Sequence, residues 1–324
     1  MLNAAPSRRE EVIVRGVRYS VRKWGRDSGR PILLLHGTQD SSVTFQFMVE
    51  HLAGDWNIMA PDWRGHGHSQ WVMQGYWFHE FVADLDALLD GMLPDQAIPI
   101  VGHSLGGNIA SAYAGLAPDR VSHLVSLDGF GPLTNRVPVD VRTILGRLLS
   151  IPKGLRDHRS YPGIDAVAER LKKGNTRLSP EQARFLAENA TVDDGHGGRR
   201  WRFDPSHQMA LPSLHTMEEW ARVWSGIKAP ALWIASEDKR PFAATSVAGE
   251  LDRRSALMPG VKRVDVPNTG HNLHHDAPSL VAKLIERFID DHADPIFDRT
   301  AVASQQQLGQ QAPDLDGLRA ASLN

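Results

Sequence analysis

Short apolar segments and amphipathic helical stripes alternate along most of the chain. Apolar runs of strand length occupy residues 31–36, 56–60, 97–101, 121–127, 231–235 and 262–266. Between and after them, apolar side chains recur at helical spacing, as from Phe78 to Met92 and from Leu280 to Ile289. Strands that alternate with helices predict an α/β fold with a mostly parallel, doubly wound sheet and functional groups at the carboxyl ends of its strands.

Two parts of the chain depart from this alternation. From Glu11 to Trp24 apolar and polar residues alternate around Arg15-Gly16, which predicts a hairpin. Between residues 130 and 227 helical patterns dominate, and Ser179 and Thr216 each start a helix with a capping-box residue three positions later. We therefore predict a flexible N-terminal tail at 1–10, a core at 11–129 and 228–294, an inserted helical cap (lid) at 130–227, and a disordered polar tail at 295–324.

The segment from Ile100 to Gly107 has the pattern of a nucleophile turn. It leads from an apolar strand through Gly102-His103-Ser104-Leu105-Gly106 into a helical stripe. In a G-x-S-x-G turn the serine occupies a strained backbone conformation, and the two glycines let neighbouring backbone approach closely. Ser104 is therefore the candidate nucleophile. Ser69 is not, because no apolar strand precedes it and Trp71 stands where a glycine is needed.

A serine hydroxyl is a weak nucleophile at neutral pH and needs a base. His271 follows the last predicted strand and precedes the last predicted helix, where a loop can bring an imidazole over the carboxyl edge of the sheet. His274 and His275 follow closely, so a metal site is a competing interpretation of the three histidines. No ligand set with a recognised metal-binding spacing accompanies them. We predict His271 as the general base, and neither a metal site nor a cofactor.

With these motifs in order, the chain resembles the α/β-hydrolase fold family from about Glu11 to Ile289, and within it the serine hydrolase-like branch. His36-Gly37 is similar to the family's oxyanion loop, and residues 62–69 are similar to the loop after its fourth strand. The resemblance implies that the backbone N–H groups of Leu105 and Thr38 hold an oxyanion.

The residue that orients His271 is open between two aspartates. In the family, this acid commonly lies in the loop after the strand that follows the lid. The matching position of this chain holds Lys239, and Asp238 lies one position before it. Some branches, including the serine hydrolase-like proteins, carry it where this chain has Asp128, at the end of the strand predicted at 121–127. We favour Asp128, and a role in capping the loop into the lid is its alternative.

The resemblance implies a serine hydrolase that cleaves a carboxylic ester, thioester or lactone of a small to medium molecule through an acyl-enzyme. Cofactor-independent dioxygenases share the fold and resemble this chain in a histidine–aspartate pair and a Trp-Arg-Gly-His-Gly loop, so a dioxygenase is the first alternative. A ligand-binding protein of the same fold with little turnover is the second alternative. His103, Trp220 and Trp224 are candidate substrate contacts, although packing inside the insertion is the competing role of the two tryptophans.

Composition narrows the classes of partner. The chain has 324 residues, a formal net charge of −2 and no cysteine. The sequence contains no basic patch with interleaved aromatic residues, so nucleic acid is not a favoured partner. No apolar run approaches the roughly 20 residues that span a bilayer, and the first residues lack a stretch typical of a signal peptide. We expect a cytoplasmic protein whose partner is a small-molecule substrate rather than nucleic acid or membrane. The oligomeric state is left open.

Overall fold

A computed structural model describes residues 4–72, 76–131, 142, 158–208, 216–238 and 249–291 of the chain. The strands are β1 (Ser7–Val14), β2 (Val17–Gly25), β3 (Arg30–Leu35), β4 (Trp56–Asp62), β5 (Ile98–His103), β6 (Val121–Leu127), β7 (Thr191–Asp193), β8 (Arg199–Trp201), β9 (Ala231–Ser236) and β10 (Lys262–Val266). The α-helices are α1 (Gln46–Val49), α2 (Phe78–Met92), α3 (Leu105–Leu116), α4 (Ile164–Gly174), α5 (Pro180–Ala190), α6 (Met217–Trp224), α7 (Glu250–Ala256), α8 (Leu273–Asp276) and α9 (Pro278–Asp290). Short 3-10 turns lie at Ser42–Phe45, Pro118–Arg120 and Pro205–Gln208.

Eight strands form one central sheet in the order β1-β2-β4-β3-β5-β6-β9-β10. β1 pairs with β2 and β2 pairs with β4 in antiparallel fashion, and all the other neighbours are parallel. The six predicted apolar runs correspond to β3, β4, β5, β6, β9 and β10, and the predicted hairpin corresponds to β1 and β2. The α/β class and the mostly parallel sheet are therefore confirmed.

The first strand begins earlier than predicted. Ser7 lies opposite Trp24 and the pairing continues to Val14 opposite Val17, so residues 7–10 belong to the sheet and not to a flexible tail. Their side chains are polar and mostly exposed because β1 is an edge strand. Backbone hydrogen bonds rather than an apolar face hold this end of the strand, and hydropathy alternation does not report backbone pairing.

Both faces of the sheet are covered by helices. One apolar cluster joins the sheet to α2, α3 and α6 and includes Leu85, Ile109 and Trp224. A second cluster joins the opposite face to α1 and α9 and includes Met48 and Ile285. Strands buried on both faces read as continuous apolar runs, which is why the sequence shows them so plainly.

The inserted segment, residues 158–208, lies against the carboxyl edge of the sheet. Its helices α4 and α5 build a small apolar cluster with Phe47 of α1, and the predicted capping box at Ser179 is present at the start of α5. Asn175 Nδ2 donates to Asp276 Oδ1 at 2.7 Å, and the Asp204 N–H donates to the Gly65 carbonyl at 2.7 Å. These contacts reach helix α8 and the loop that follows β4.

Helix α6 belongs to the core, although the prediction placed it in the cap. It begins with the predicted capping box at Thr216 and crosses α3 so closely that a Cβ atom on Gly115 would lie 2.0 Å from the Val223 carbonyl oxygen. Trp220 and Trp224 are buried in the core, and the Trp224 ring lies 5.6 Å from that of Trp233. Their surroundings are those of packing residues. A helix with two tryptophans one turn apart does not reveal which layer it covers.

The crossing of α6 over α3 can be tested with one substitution. Gly115→Ala is expected to lower the free energy of unfolding by about 1–3 kcal/mol, because its methyl group would overlap the Val223 carbonyl. Gly91 in α2 is the matched control, since a Cβ there meets nothing within 4 Å and alanine should stabilise the helix by about 1 kcal/mol. Urea unfolding of both variants measures the difference. Unchanged stability of Gly115→Ala would contradict the close crossing.

Candidate active site

The turn between β5 and α3 holds Ser104 in a strained backbone conformation. Its φ is 52° and its ψ is −114°, a region that non-glycine residues seldom adopt. A Cβ on Gly102 would lie 2.3 Å from the Gly106 carbonyl, and one on Gly106 would lie 2.1 Å from the Leu35 carbonyl oxygen. Only glycine fits at these two positions. The Ser104 N–H donates to the Leu127 carbonyl at 2.8 Å, which anchors the turn to β6.

His271 lies between Ser104 and Asp128. Its Nε2 is 3.0 Å from Ser104 Oγ, and its Nδ1 is 3.2 Å from Asp128 Oδ2. The imidazole is 36% exposed whereas the Asp128 carboxylate is 4% exposed. A carboxylate only accepts, so Nδ1 donates to Asp128 and Nε2 remains free to accept the hydroxyl proton of Ser104. This is the arrangement of a nucleophile, a base and a group that orients the base.

A serine that the sequence reading passed over holds the Asp128 carboxylate. Ser236, at the end of β9, donates its N–H to Oδ1 at 2.8 Å and its hydroxyl to Oδ2 at 2.6 Å. β6 and β9 are neighbours, with Leu127 opposite Ile234, so their ends meet. In the family, the loop that commonly carries the acid has a glycine where this chain has Ser236. That difference was the sequence feature that could have pointed to Ser236. Asp238 lies farther along this loop, and its N–H donates to the Thr269 carbonyl at 3.0 Å.

The two predicted oxyanion donors belong to segments that border Ser104. Leu105 is the first residue of α3, and the backbone N–H groups of the first helical turn have no intrahelical partner. A Cβ on Gly37 would lie 3.2 Å from Ser104 Cβ, so the loop that carries Thr38 passes directly beside the serine. The N–H of Gln39, the other residue in this loop, donates to His66 Nε2 at 3.1 Å. The Gln39 N–H is therefore already engaged, and Thr38 stays the predicted donor of this loop.

His103 does not have the surroundings of the substrate contact that the sequence suggested. The side chain is 3% exposed, and its Nε2 lies 2.8 Å from the backbone carbonyl oxygen of His271. It therefore holds the loop of the base from behind. The sequence does not show this because the residue before the serine can point either into the pocket or into the loops behind it.

Ser69, which the sequence excludes as the nucleophile, holds the loop after β4. Its hydroxyl donates to the Asp62 carbonyl at 2.5 Å and accepts from the Ser20 N–H at 2.9 Å, which joins the loop after β4 to β2. The Asp62 carboxylate accepts the backbone N–H groups of Ser42 at 2.7 Å and His68 at 2.9 Å.

Five buried histidines and the partly buried His207 lie around this edge of the sheet, and their surroundings favour the neutral form. Burial lowers the pKa of His36 to about 3 and that of His275 to about 4. Burial also lowers the pKa values of four others well below the ordinary value; these are His66, His103, His207 and His274. Burial acts in the opposite sense on a carboxyl group and raises the pKa of Asp40 to about 6.

Stability is therefore expected to fall as the pH falls below about 6.5. In that range the histidines of the unfolded chain become protonated while these six stay neutral in the folded chain. Each of them therefore lowers the free energy of unfolding by about 1.4 kcal/mol per pH unit. The slope contributed by His275 persists to about pH 4 and that of His36 to about pH 3. Asp40 acts in the opposite direction below about pH 6 and offsets one of the six, because the folded state binds its proton more tightly. Urea unfolding at pH 7.5, 6 and 5 measures the slope.

Two variants assign that slope to buried rings. His275→Gln is expected to flatten the pH dependence by about one proton, since glutamine does not titrate. His196→Gln removes an exposed histidine and should leave the slope unchanged. Equal slopes in wild type and His275→Gln would contradict the neutral burial of His275.

In the described ranges, no helix has both the length and the apolar character needed to cross a bilayer.

The family assignment follows from the fold and from the sequence together. The model of the family described as alpha/beta hydrolase fold matches residues 30–278, and the chain belongs to that family.

The most informative relatives have hydrolase names. A serine hydrolase-like protein of Danio rerio is 31% identical over 280 residues, which cover 82% of this chain and 83% of the relative. An esterase of Escherichia coli is 26% identical over 273 residues, covering 81% and 93%. Among solved structures, a thioesterase domain from the curacin biosynthetic pathway has a TM-score of 0.76 at 25% identity, covering 87% of this chain and 99% of that domain. These relatives support hydrolase activity.

Proposed function

We propose that this protein is a serine hydrolase that cleaves a carboxylic ester, thioester or lactone through an acyl-enzyme. One observation carries the proposal: Ser104 Oγ lies 3.0 Å from His271 Nε2, and His271 Nδ1 lies 3.2 Å from the buried Asp128 carboxylate. The names of the relatives, an esterase and a thioesterase domain among them, support acyl transfer to water.

The roles follow from this geometry. His271 accepts the Ser104 proton as the oxygen attacks the substrate carbonyl, and Asp128 stabilises the imidazolium that forms. The N–H groups of Leu105 and Thr38 bind the oxyanion of the tetrahedral intermediate. The imidazolium then protonates the leaving alcohol or thiol. Water, deprotonated by His271, finally releases the acid from Ser104.

The nucleophile is tested by covalent labelling and by turnover. Ser104→Ala should abolish labelling by a fluorophosphonate and lower the turnover of p-nitrophenyl esters by about 10⁴ or more, because no other group replaces the attacking oxygen. Ser69→Ala is the matched control and should still label. Labelling that persists in Ser104→Ala would contradict the assignment. Substrate oxygenation by an enzyme that the probe does not label would favour the dioxygenase alternative.

The acid is tested by two isosteric substitutions. Asp128→Asn should lower kcat by about 10⁴, since an amide neither holds the productive tautomer of His271 nor stabilises its charged form. Asp238→Asn should stay close to wild type. A panel of p-nitrophenyl esters of increasing chain length gives both rates and ranks acyl preference. The opposite order, with Asp238→Asn crippled and Asp128→Asn active, would assign the role to Asp238.

A further inference from the structure

Behind the proposed base, three side chains from separate parts of the chain converge. Asp40 follows β3, His103 lies in the nucleophile turn, and His274 lies in α8. One ligand atom of each, a carboxylate oxygen and a ring nitrogen from both histidines, lie within 4.8 Å of one another. His103 is 3% exposed and His274 is fully buried. Neither His271 nor His275 belongs to this group, so it is not the histidine triplet visible in the sequence.

The hydrogen bond of His103 fixes which of its nitrogens is free. Its Nε2 lies 2.8 Å from the His271 carbonyl oxygen, which only accepts, so Nε2 carries the proton. Nδ1 is then a lone pair. Within the described part of the chain, this buried Nδ1 has no hydrogen-bond partner.

His274 also has a ring nitrogen without a partner. Thr44 Oγ1 lies 2.9 Å from His274 Nε2 and 2.7 Å from His275 Nε2. His274 Nδ1 is buried and has no hydrogen-bond partner among the residues described.

The cluster thus combines a carboxylate with two histidines whose buried Nδ1 atoms have no hydrogen-bond partner among the described residues. Buried acceptors without a partner cost free energy, and a bound cation removes that cost. Two neutral imidazoles and a carboxylate form a ligand set that Zn²⁺ and similar divalent ions prefer. In such sites, a hydrogen bond made by the second nitrogen of each ligand histidine fixes the orientation of its ring. Here Nε2 of His103 and Nε2 of His274 each contact an oxygen atom. Bond lengths of about 2.0–2.2 Å at tetrahedral angles place ligand atoms about 3.5 Å apart, so the three side chains have to move together by about 1 Å to hold the ion.

We propose that Asp40, His103 and His274 bind a divalent transition-metal ion, with Zn²⁺ as the probe, and that the bound ion inhibits the enzyme. The His103 ring lies 4.8 Å from the ring of His271, centroid to centroid. A cation on His103 opposes the positive charge that His271 acquires when it accepts the serine proton. The inhibitory part rests on the proposed function, whereas metal binding does not.

Binding is measured first, by isothermal titration of the full chain with ZnCl₂. We expect one ion per chain, and binding weakened by about 10–100-fold or more in Asp40→Asn and in His274→Gln. His275→Gln is the matched control, because His275 is also buried and also contacts Thr44 but lies outside the cluster. It should bind Zn²⁺ like wild type. Cooperative urea unfolding of each variant establishes that it folds.

Two binding results would overturn the site. The first is no detectable heat of binding to folded wild type at millimolar Zn²⁺. The second is equal affinity in wild type, Asp40→Asn and His274→Gln, which would place the ion elsewhere.

Turnover then tests inhibition. Saturating Zn²⁺ should lower the kcat of wild type at least about tenfold, since a repulsion of about 1.4 kcal/mol is enough, and a chelator should restore it. In His274→Gln the same Zn²⁺ concentration should have little effect. Binding with unchanged kcat would overturn the inhibitory role. Zn²⁺ binding by an enzyme that neither labels nor turns over esters would leave the metal site standing while the proposed function fails.

Discussion

The backbone of β3, the nucleophile turn and the first turn of α3 lie in direct contact at Gly102 and Gly106. Neither position has room for a Cβ atom, and this contact holds Ser104 at a φ of 52°. The strain is offset by the packing of α3 onto the sheet and by the Ser104 N–H bond to Leu127. The serine oxygen and the N–H groups at the start of α3 are thereby fixed relative to the sheet, and every other group of the site is positioned against them.

Parallel strand order supplies the rest of the site. Ser104 and Asp128 follow the ends of β5 and β6, and Ser236 is the last residue of β9; these three strands are successive neighbours in the sheet. Their side chains therefore meet at one edge without long excursions of the chain. His271 alone lies on a longer loop. That loop is held from behind by His103. Directly before His271, the Gly270 N–H donates to Asp276 Oδ2 at 2.7 Å.

Neutral histidine side chains hold the loops around the site, so the pH range in which the fold is stable is also the range in which these loops keep their geometry. His36 Nε2 accepts the Trp63 N–H at 3.0 Å, and His66 Nε2 accepts the Gln39 N–H at 3.1 Å, so both rings hold loops that shape the oxyanion side. An imidazolium could not accept these bonds. The burial that lowers their pKa values therefore maintains the loop geometry at neutral pH. Burial also leaves Nδ1 of His103 and Nδ1 of His274 without hydrogen-bond partners among the described residues.

The sequence alone determined the features that are local in the chain: the apolar strands, the helical stripes, the capping boxes at Ser179 and Thr216, and the turn at Ser104. It also narrowed the acid to two aspartates. Only the tertiary structure placed Asp128 against His271, revealed Ser236 behind it, moved α6 with its tryptophans into the core and gathered Asp40, His103 and His274. Hydropathy periods and motif spacings report on neighbours within a few residues. Contacts between positions more than a hundred residues apart depend on strand order and loop direction, which no local pattern encodes.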